Sequence, residues 1–89
     1  MVRSVYSIGD GEAEVLEFRV LESSPIADKT LKDVDWPKDS LAGLLKKDTE
    51  VLVPRGNTKF EKGDVLTVFC LRDDIGKVEN LFQVGVDFF

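Results

Sequence analysis

The chain has 89 residues, which is about one small domain, so separate catalytic and binding domains do not fit in it. An apolar share of 43% and a charged share of 33% are typical of a globular chain and exclude a disordered or fibrous one. The 12 Lys and Arg against 17 Asp and Glu give a net charge of -5, which argues against nucleic acid and anionic membranes as partners, because gripping phosphates needs a basic surface.

The first predicted element is a strand that begins at Glu14. Residues 1–13 carry scattered apolar side chains and a turn-forming Gly-Asp-Gly at 9–11, which predicts a leader or linker. From Glu14 onward, apolar and polar residues alternate with the period of two that a strand requires. The alternation places three apolar side chains on one face: Leu16, Phe18 and Val20.

A short helix is predicted after this strand. Ser23 or Ser24 can cap the exposed amides of a helix N-terminus, and Pro25 suits the first helical position because it lacks an N–H group. Apolar residues then recur at roughly helical spacing through about Leu31, which predicts core packing on one side. Pro37 interrupts the pattern because the residue before a proline is pushed towards extended backbone, so a loop is expected there.

A hairpin is predicted next. Residues 40–46 and 50–54 are both apolar-rich, and the polar residues between them fit a hairpin connection. Further turns are expected at 55–58 and 62–64, with Phe60 between them as a buried anchor.

The chain closes with a strand and a helix. Residues 64–71 are the most strand-like run, and the continuous apolar stretch at 68–71 suggests a central strand covered on both faces. Asp73 and Asp74 are candidate helix caps, and Gly85 is the expected stop. The apolar residues of this amphipathic helix are Ile75, Val78, Leu81 and Phe82. The order of elements predicts a small α+β domain with an antiparallel-rich sheet.

Few residues in the chain suit catalysis. No histidine is present, which removes the residue most often used for proton transfer near neutral pH and the commonest transition-metal ligand. The single cysteine, Cys70, cannot form an internal disulfide, and its apolar neighbours predict a buried, reduced thiol. No stretch approaches the ~20 apolar residues of a membrane-spanning helix, and the first residues lack the apolar core of a signal peptide. We therefore expect a soluble chain in the cytoplasm.

The charged motifs have simple structural explanations. Two aspartate pairs lack the spacing of a calcium loop, and solvated surface or helix capping explains them better. These pairs are Asp33 with Asp35 and Asp73 with Asp74. Arg55 and the backbone amides after it offer an anion site, although a turn uses the same residue types without a ligand. No enzymatic function, metal or resident cofactor is predicted.

Several segments occur in a characteristic order along residues 16–82. The segments are 22–26 (ESSPI), 29–34 (KTLKDV), 41–45 (LAGLL), 53–58 (VPRGNT) and 60–68 (FEKGDVLTV). Together they resemble the TrkA C-terminal domain, the second lobe of regulatory gating assemblies on potassium channels and uptake systems. The spacing between Pro54 and the Gly-Asp pair at 63–64 is the most specific part. On this basis the chain divides into a leader at 1–13, a TrkA-C-like domain at 14–83 and a tail at 84–89.

The resemblance implies a role in controlling potassium flux. The lobe is expected to form a homodimer or larger ring, and to work with a Rossmann-type nucleotide-binding TrkA-N chain that binds the dinucleotide. Contact with the membrane potassium transporter would then be indirect, and the chain would be cytoplasmic and peripheral to the transporter.

Ligand positions follow from relatives that bind a cyclic dinucleotide. The resemblance implies contacts from the loop before the hairpin, the first hairpin strand and the proline after the second strand. In this chain these places hold Trp36, Pro37, Leu41 and Pro54, and Arg55 follows. Pro37 stands where those relatives often carry an arginine, which removes a charge-assisted contact to phosphate.

Aromatic residues at two places are candidate interface groups. Trp36 suits either a dimer face or a lid packed over the hairpin, and the lid is favoured. Phe88 and Phe89 either dock on a neighbouring subunit or belong to a frayed terminus. Two hypotheses therefore stand: a regulatory and assembly subunit of a potassium system, or a stand-alone sensor of an anionic small molecule that shares the fold.

Overall fold

The computed structural model describes residues 2–82, with side chains from residue 6 onward, and contains a five-stranded antiparallel sheet. The strands are β1 (Val2–Ile8), β2 (Ala13–Arg19), β3 (Ser40–Lys47), β4 (Glu50–Leu52) and β5 (Val65–Leu71). Their order across the sheet is β1-β2-β5-β3-β4, so β5 is the middle strand. The sheet, followed by an α-helix, α1 (Ile75–Phe82), confirms the predicted α+β class.

β1 lies in the segment predicted as a leader or linker. It forms a hairpin with β2 through a turn at 9–11, where three successive residues have positive φ. A bulge shifts the register between Ser4 and Tyr6. The bulge interrupts the period-two alternation of apolar residues, and that alternation is the pattern by which a strand is predicted. Whether this hairpin also connects the domain to another stays a prediction.

The segment between β2 and β3 differs from its prediction. The short helix is replaced by turns at 25–28 and one turn of 3-10 helix at Leu31–Asp33. Asp28 has a φ of 66°, a left-handed conformation that does not continue an α-helix. Its amide donates to the Phe60 carbonyl at 2.7 Å, and the Phe60 amide donates to the Lys29 carbonyl at 2.9 Å. Pairing with a distant segment has overridden the local helical spacing.

Ser24, a predicted N-cap, instead serves the C-terminal end of α1. Its hydroxyl accepts a hydrogen bond from the Leu21 amide at 2.8 Å and donates one to the Phe82 carbonyl. The Ile26 amide donates to the Leu81 carbonyl at 3.2 Å. Carbonyls in the last turn of a helix have no partner inside the helix, so these two bonds tie α1 to the loop after β2.

The hairpin prediction is confirmed by β3 and β4, whose connection contains Asp48 with a φ of 55°. The central position of β5 is also confirmed, since it pairs with β2 on one side and β3 on the other. The prediction that both faces of β5 are covered differs from the structure, because the described residues cover only one of them. Leu66 and Val68 are fully buried, whereas Phe69 and Leu71 are 42% and 46% exposed.

The core lies between one face of the sheet, the inner face, and a layer formed by α1 and the loops after β2 and β4. The Phe18 and Phe82 rings stack with centroids 4.3 Å apart, which joins β2 to α1. The buried apolar side chains are Leu16, Phe18, Val20, Ile26, Leu45, Phe60, Leu66, Val68, Cys70, Val78 and Phe82. Burial of each large side chain stabilises the fold by roughly 1.5–3 kcal/mol.

The start of α1 also differs from the prediction. Asp73 and Asp74 do not cap the helix but lie within a turn of 3-10 helix, Arg72–Asp74, that leads into it. The predicted stop at Gly85 lies outside the described residues.

Candidate interaction surface

One face of the sheet, the open face, is left exposed by the described residues. Side chains alternate along a strand, so the neighbours of the buried positions point away from the core. Seven of the eight large hydrophobic side chains exposed in the described chain lie on this face. They are Tyr6, Ile8, Leu41, Leu44, Val51, Phe69 and Leu71. An exposed apolar patch of this kind marks a candidate interaction site.

The apolar side chains of the open face form rows across the strands. One row runs through β1, β2, β5 and β3 and contains Tyr6, Val15, Phe69 and Leu41. The adjoining row contains Ile8, Ala13 and Leu71. These rows place apolar groups side by side although they are far apart in the chain, which makes one end of the open face apolar.

The other end of the open face carries charges of both signs. Glu17 and Lys46 lie beside a groove of about 170 Å³ that Leu44 and Val51 also line. Arg19 lies in the same row as Lys46, and its guanidinium donates to the Gly63 carbonyl at 3.4 Å. The open face therefore has an apolar end and a mixed-charge end.

A second groove, of about 250 Å³, lies at the apolar end, where β3 begins. It is lined by Leu41, Phe69 and Leu71 together with Lys38. Asp39 lines the same groove, so one charge of each sign lies beside the apolar floor.

Trp36 lies over the core and not on the open face. Its indole N–H donates to the Leu31 carbonyl at 3.3 Å. Its ring meets Phe60 edge-on with centroids 6.1 Å apart, and lies 6.4 Å from the Phe82 ring. These contacts place the ring over the core beside Phe60 and Phe82, and they leave the indole without a free donor for a partner. A role of Trp36 at a dimer face stays a prediction.

The four candidate ligand residues do not converge in the described structure. Leu41 is 64% exposed on the open face, whereas Trp36 packs against the core on the opposite side. Pro54 is buried. Arg55 is exposed in a turn, where its backbone amide donates to the Thr58 hydroxyl at 2.8 Å. Of the four, only Leu41 lines the groove beside Lys38. Phe88 and Phe89, the other candidate interface residues, lie outside the described residues.

Cys70 is buried among core residues. Its side chain is 3% exposed, and burial raises the pKa of its thiol, with the nearby carboxylates of Asp74, Glu14 and Glu79 adding to the shift. A thiol with a raised pKa is a weak nucleophile because little thiolate forms near neutral pH. Its place in the structure is that of a packing residue.

An ion-pair cluster joins the β3–β4 turn to the turn before β5. The Lys47 ammonium lies 3.1 Å from the Glu61 carboxylate and hydrogen-bonds to buried Asp64. The Asp64 carboxylate also accepts the Glu61 amide at 2.9 Å. Partial burial lowers the pKa of Lys47, but the bonds and charges of Asp64 and Glu61 outweigh it and raise the pKa above 10.5. Lys47, in turn, lowers the pKa of Glu61 below 4.5.

The described residues contain neither a metal-binding cluster nor a membrane-spanning helix. Within residues 2–82, no group of three or more potential ligands could hold a metal ion. No helix in the same range is long and apolar enough to cross a membrane.

The open face was not predicted from the sequence. The signal that could have revealed it was the apolar residues at outward positions of three predicted strands, such as Val15, Leu41 and Phe69. The sequence does not show that the three strands are neighbours, so it does not group these residues into one surface.

Comparison with known proteins adds the evolutionary context. The family model of the TrkA-C domain matches residues 15–83. The chain is 38% identical over 88 residues to the Trk system potassium uptake protein TrkA of Azorhizobium caulinodans, a match that covers 99% of this chain and 19% of that protein. It is 39% identical over 64 residues to the Trk system potassium uptake protein TrkA homolog of Archaeoglobus fulgidus, covering 72% of this chain and 15% of that protein. The TrkA protein of Halomonas elongata matches at 32% over 90 residues, with 97% and 20% covered. The chain thus spans a fifth or less of the length of these relatives.

Proposed function

This chain belongs to the TrkA-C domain family, and on that premise we propose that it is a regulatory, non-catalytic part of a potassium channel or uptake system. It pairs with a second copy through the open face, contacts a nucleotide-binding partner, and through that assembly gates K⁺ flux. The observation that supports the pairing is the gathering of exposed apolar side chains on one face of the sheet.

A second copy is the occupant that best suits this face. A two-fold axis brings the same patch of each copy together, so an apolar row meets an apolar row. Two sheets packed face to face lie about 10 Å apart with interleaved side chains, which would bury Leu41, Phe69 and Leu71. The mixed-charge ends then lie at opposite rims, where water still reaches Glu17 and Lys46. Obligate interfaces have this arrangement of an apolar centre and a polar rim.

The nucleotide-binding partner is inferred from the family resemblance and from the greater length of the relatives. They are named as potassium uptake proteins, and this chain corresponds to a fifth or less of their length. We assign the dinucleotide to a Rossmann-type TrkA-N partner and not to this chain. The assembly lies on the cytoplasmic side and contacts the membrane potassium transporter through that partner.

Gating in this assembly is a shift of population between two arrangements of the paired lobes. A ligand or partner acts only through a difference in its affinity for the two arrangements. The open face supplies the surface along which the two copies change their contact.

A second candidate function, the anionic-ligand sensor, is favoured by the groove beside Lys38. That groove lies within the proposed pairing face and places Lys38, with Asp39 next to it, beside Leu41 and Phe69. Lys38 is the group in it that would pair with an anion. An anionic ligand such as a cyclic dinucleotide would bind there between two copies. Trp36, Pro54 and Arg55 would have to contribute through the pair, since none of them lines the groove in one copy.

Purification of the native complex from its own cells through this chain tests the first function. The mass of the complex and the identity of its subunits are the readouts. We expect an assembly that contains an identified dinucleotide-binding chain. A monomer at all accessible concentrations would overturn the pairing.

A bare homodimer would favour the sensor. The dimer would then be heated with and without a cyclic dinucleotide, because a ligand that binds only the folded pair raises its unfolding temperature. No shift at saturating dinucleotide would remove this second function.

A further inference from the structure

Arg72 joins the turn of the β1–β2 hairpin to the segment that leads into α1. It directly follows β5 and begins the turn of 3-10 helix before α1. The last residue pair between β2 and β5 is Ala13 with Leu71. The Arg72 amide donates to the Glu12 carbonyl at 2.8 Å, and this bond extends the ladder by one residue beyond the paired strands.

The side chain of Arg72 adds a second bond to the same turn. Its Nε–H group donates to the Gly11 carbonyl at 2.7 Å. One residue thus binds two successive carbonyls, the first through its backbone and the second through its guanidinium. Hydrogen bonds from a charged donor are stronger than those between neutral groups, and a guanidinium presents its donors in a rigid plane. Arg72 is therefore attached to the turn at two points, and one of them is charge-assisted.

Gly11 suits this arrangement in two ways. Its φ is 89°, a left-handed value that glycine adopts without strain. A Cβ atom at this position would collide with the Arg72 Nη2 atom and lie 3.4 Å from Cζ. The guanidinium therefore packs directly against the glycine backbone, and a side chain at position 11 would displace it.

Carboxylates on both sides of the guanidinium add an electrostatic reason for the contact. A cavity of about 450 Å³ beside Arg72 is lined by Asp10 and Glu12 from the hairpin turn and by Asp73 from the 3-10 turn. Like charges on neighbouring segments repel, whereas a cation between them attracts both. Arg72 supplies the positive charge among the described residues that line this cavity. Its loss would favour separation of the hairpin turn from the start of α1.

We infer that Arg72 is a positioning residue that latches the β1–β2 turn to the start of α1, so that these two segments open and close together. The latch connects residues 61 positions apart in the chain. β1 and the turn precede residue 15, where the match to the family model begins, so the latch ties a segment outside that match to a helix within it. The inference concerns a single copy of the chain and does not depend on pairing or on potassium transport.

The test is residue-resolved hydrogen exchange by NMR on the full chain, which measures how often each bonded amide opens. Three amides report on the latch: Glu12, which bonds within the turn, Arg72, and Ile75, which donates to the Arg72 carbonyl. Arg72→Met keeps the aliphatic stem and removes the guanidinium. All three amides should then exchange about tenfold faster, because both segments lose the same bond. The Asp28 amide, bonded to the Phe60 carbonyl in another loop, should exchange as in the wild type.

Two glycines provide a matched pair of further variants. Gly11 and Gly63 have φ values of 89° and 92°, so alanine strains the backbone similarly at both. A Cβ atom at Gly63 has nothing within 4 Å, whereas one at Gly11 meets the guanidinium. Gly11→Ala should speed exchange of the Ile75 amide about tenfold in the wild type and less than about twofold in the Arg72→Met background. Gly63→Ala should leave the Ile75 amide unchanged in both.

Each outcome supports or overturns the latch. Faster exchange at Glu12 with none at Ile75 in Arg72→Met would show that Arg72 holds the turn alone, and the coupling would be wrong. An equal response of Ile75 to Gly11→Ala with and without the guanidinium would show that Gly11 acts through its backbone only.

Arg72→Lys keeps a charge between the carboxylates but places its donors elsewhere, so its exchange rates should lie between those of the wild type and Arg72→Met. Rates equal to the wild type in both Arg72 variants would overturn the inference. Thermal unfolding of every variant checks that faster local exchange is not loss of the fold.

Discussion

The two faces of the sheet are built from the same strands but are covered very differently. On β5 alone, Leu66 and Val68 are fully buried under α1 and the loops. Phe69 and Leu71 point to the opposite face and are nearly half exposed. Both faces carry large apolar side chains, although one end of the open face is charged, so the presence of apolar residues does not distinguish them. What distinguishes them is whether the described part of the chain supplies a covering layer. The inner face holds the fold together, and the apolar end of the open face resembles a core that the described residues leave uncovered.

The largest expected effect is the loss of stability when a charge is placed on the inner face. Leu66→Asp places an unpaired carboxylate at a fully buried position, which should cost several kcal/mol and unfold the domain. Circular dichroism and thermal unfolding measure this. Val65→Asp, on the same strand but facing the other way, is the control and should still fold. A stably folded Leu66→Asp would contradict the assignment of the inner face.

The same charge on the open face should separate pairing from folding. Leu41→Asp changes a side chain that is 64% exposed, so the free energy of unfolding should change by less than about 1 kcal/mol. The dimer should weaken by about tenfold or more, because the charge is buried at the apolar end when two copies meet. Sedimentation gives both the mass and the affinity.

Asn57→Asp is the control for this variant, since it adds the same charge in an exposed turn. Dimerisation that withstands Leu41→Asp and falls with Asn57→Asp would place the contact near that turn and away from the open face.

Loss of the Ser24 hydrogen bonds on the inner side should lower the free energy of unfolding by a smaller amount. Ser24→Ala removes the hydroxyl that bonds both the Leu21 amide and the Phe82 carbonyl. Two polar groups then lose a partner, at a cost of roughly 1–3 kcal/mol. Ser23→Ala, one residue earlier and exposed, should be close to neutral in the same denaturant titration. Equal stability of the two variants would show that the tie to α1 contributes nothing.

The smallest expected effect is on how the free energy of unfolding depends on pH through the ion pair between Lys47 and Glu61. Lys47 lowers the pKa of Glu61, so the folded state is stabilised above the unfolded pKa and loses this contribution as pH falls through the folded pKa. The free energy of unfolding should therefore fall as the pH drops below about 4.5. Glu61→Gln should flatten this part of the profile, and Glu50→Gln, exposed on β4, should not. If the free energy of unfolding of Glu61→Gln falls with pH as it does in the wild type, the ion pair does not contribute to the stability of the fold.

Local patterns were sufficient where the spacing of apolar residues alone indicates the element. The alternation from Glu14 predicted β2 and its buried face, with Leu16 and Phe18 in the core. The apolar runs around a polar turn predicted the β3–β4 hairpin. In each case the spacing of apolar residues matches the period of the backbone, and that period is a local property.

Prediction was poorer where distant segments decide the local conformation. The helix predicted after Pro25 is replaced by turns because Asp28 and Lys29 pair with Phe60. β1 was missed because its bulge breaks the alternation. Of the candidate ligand residues, Leu41 alone lies on the open face, and the sequence contained no sign that Trp36 would be on the other side of the sheet.

By itself, the sequence determined that this is a small α+β domain, which residues form most of its strands, and a family resemblance that comparison confirmed. Tertiary structure alone decided that Tyr6, Val15, Phe69 and Leu41 become neighbours and that the face they form is left exposed by residues 2–82. The physical reason is that periodicity records which side of a strand is apolar, whereas cover depends on strand order and on where the connecting loops pack. Those are properties of contacts between residues far apart in the chain.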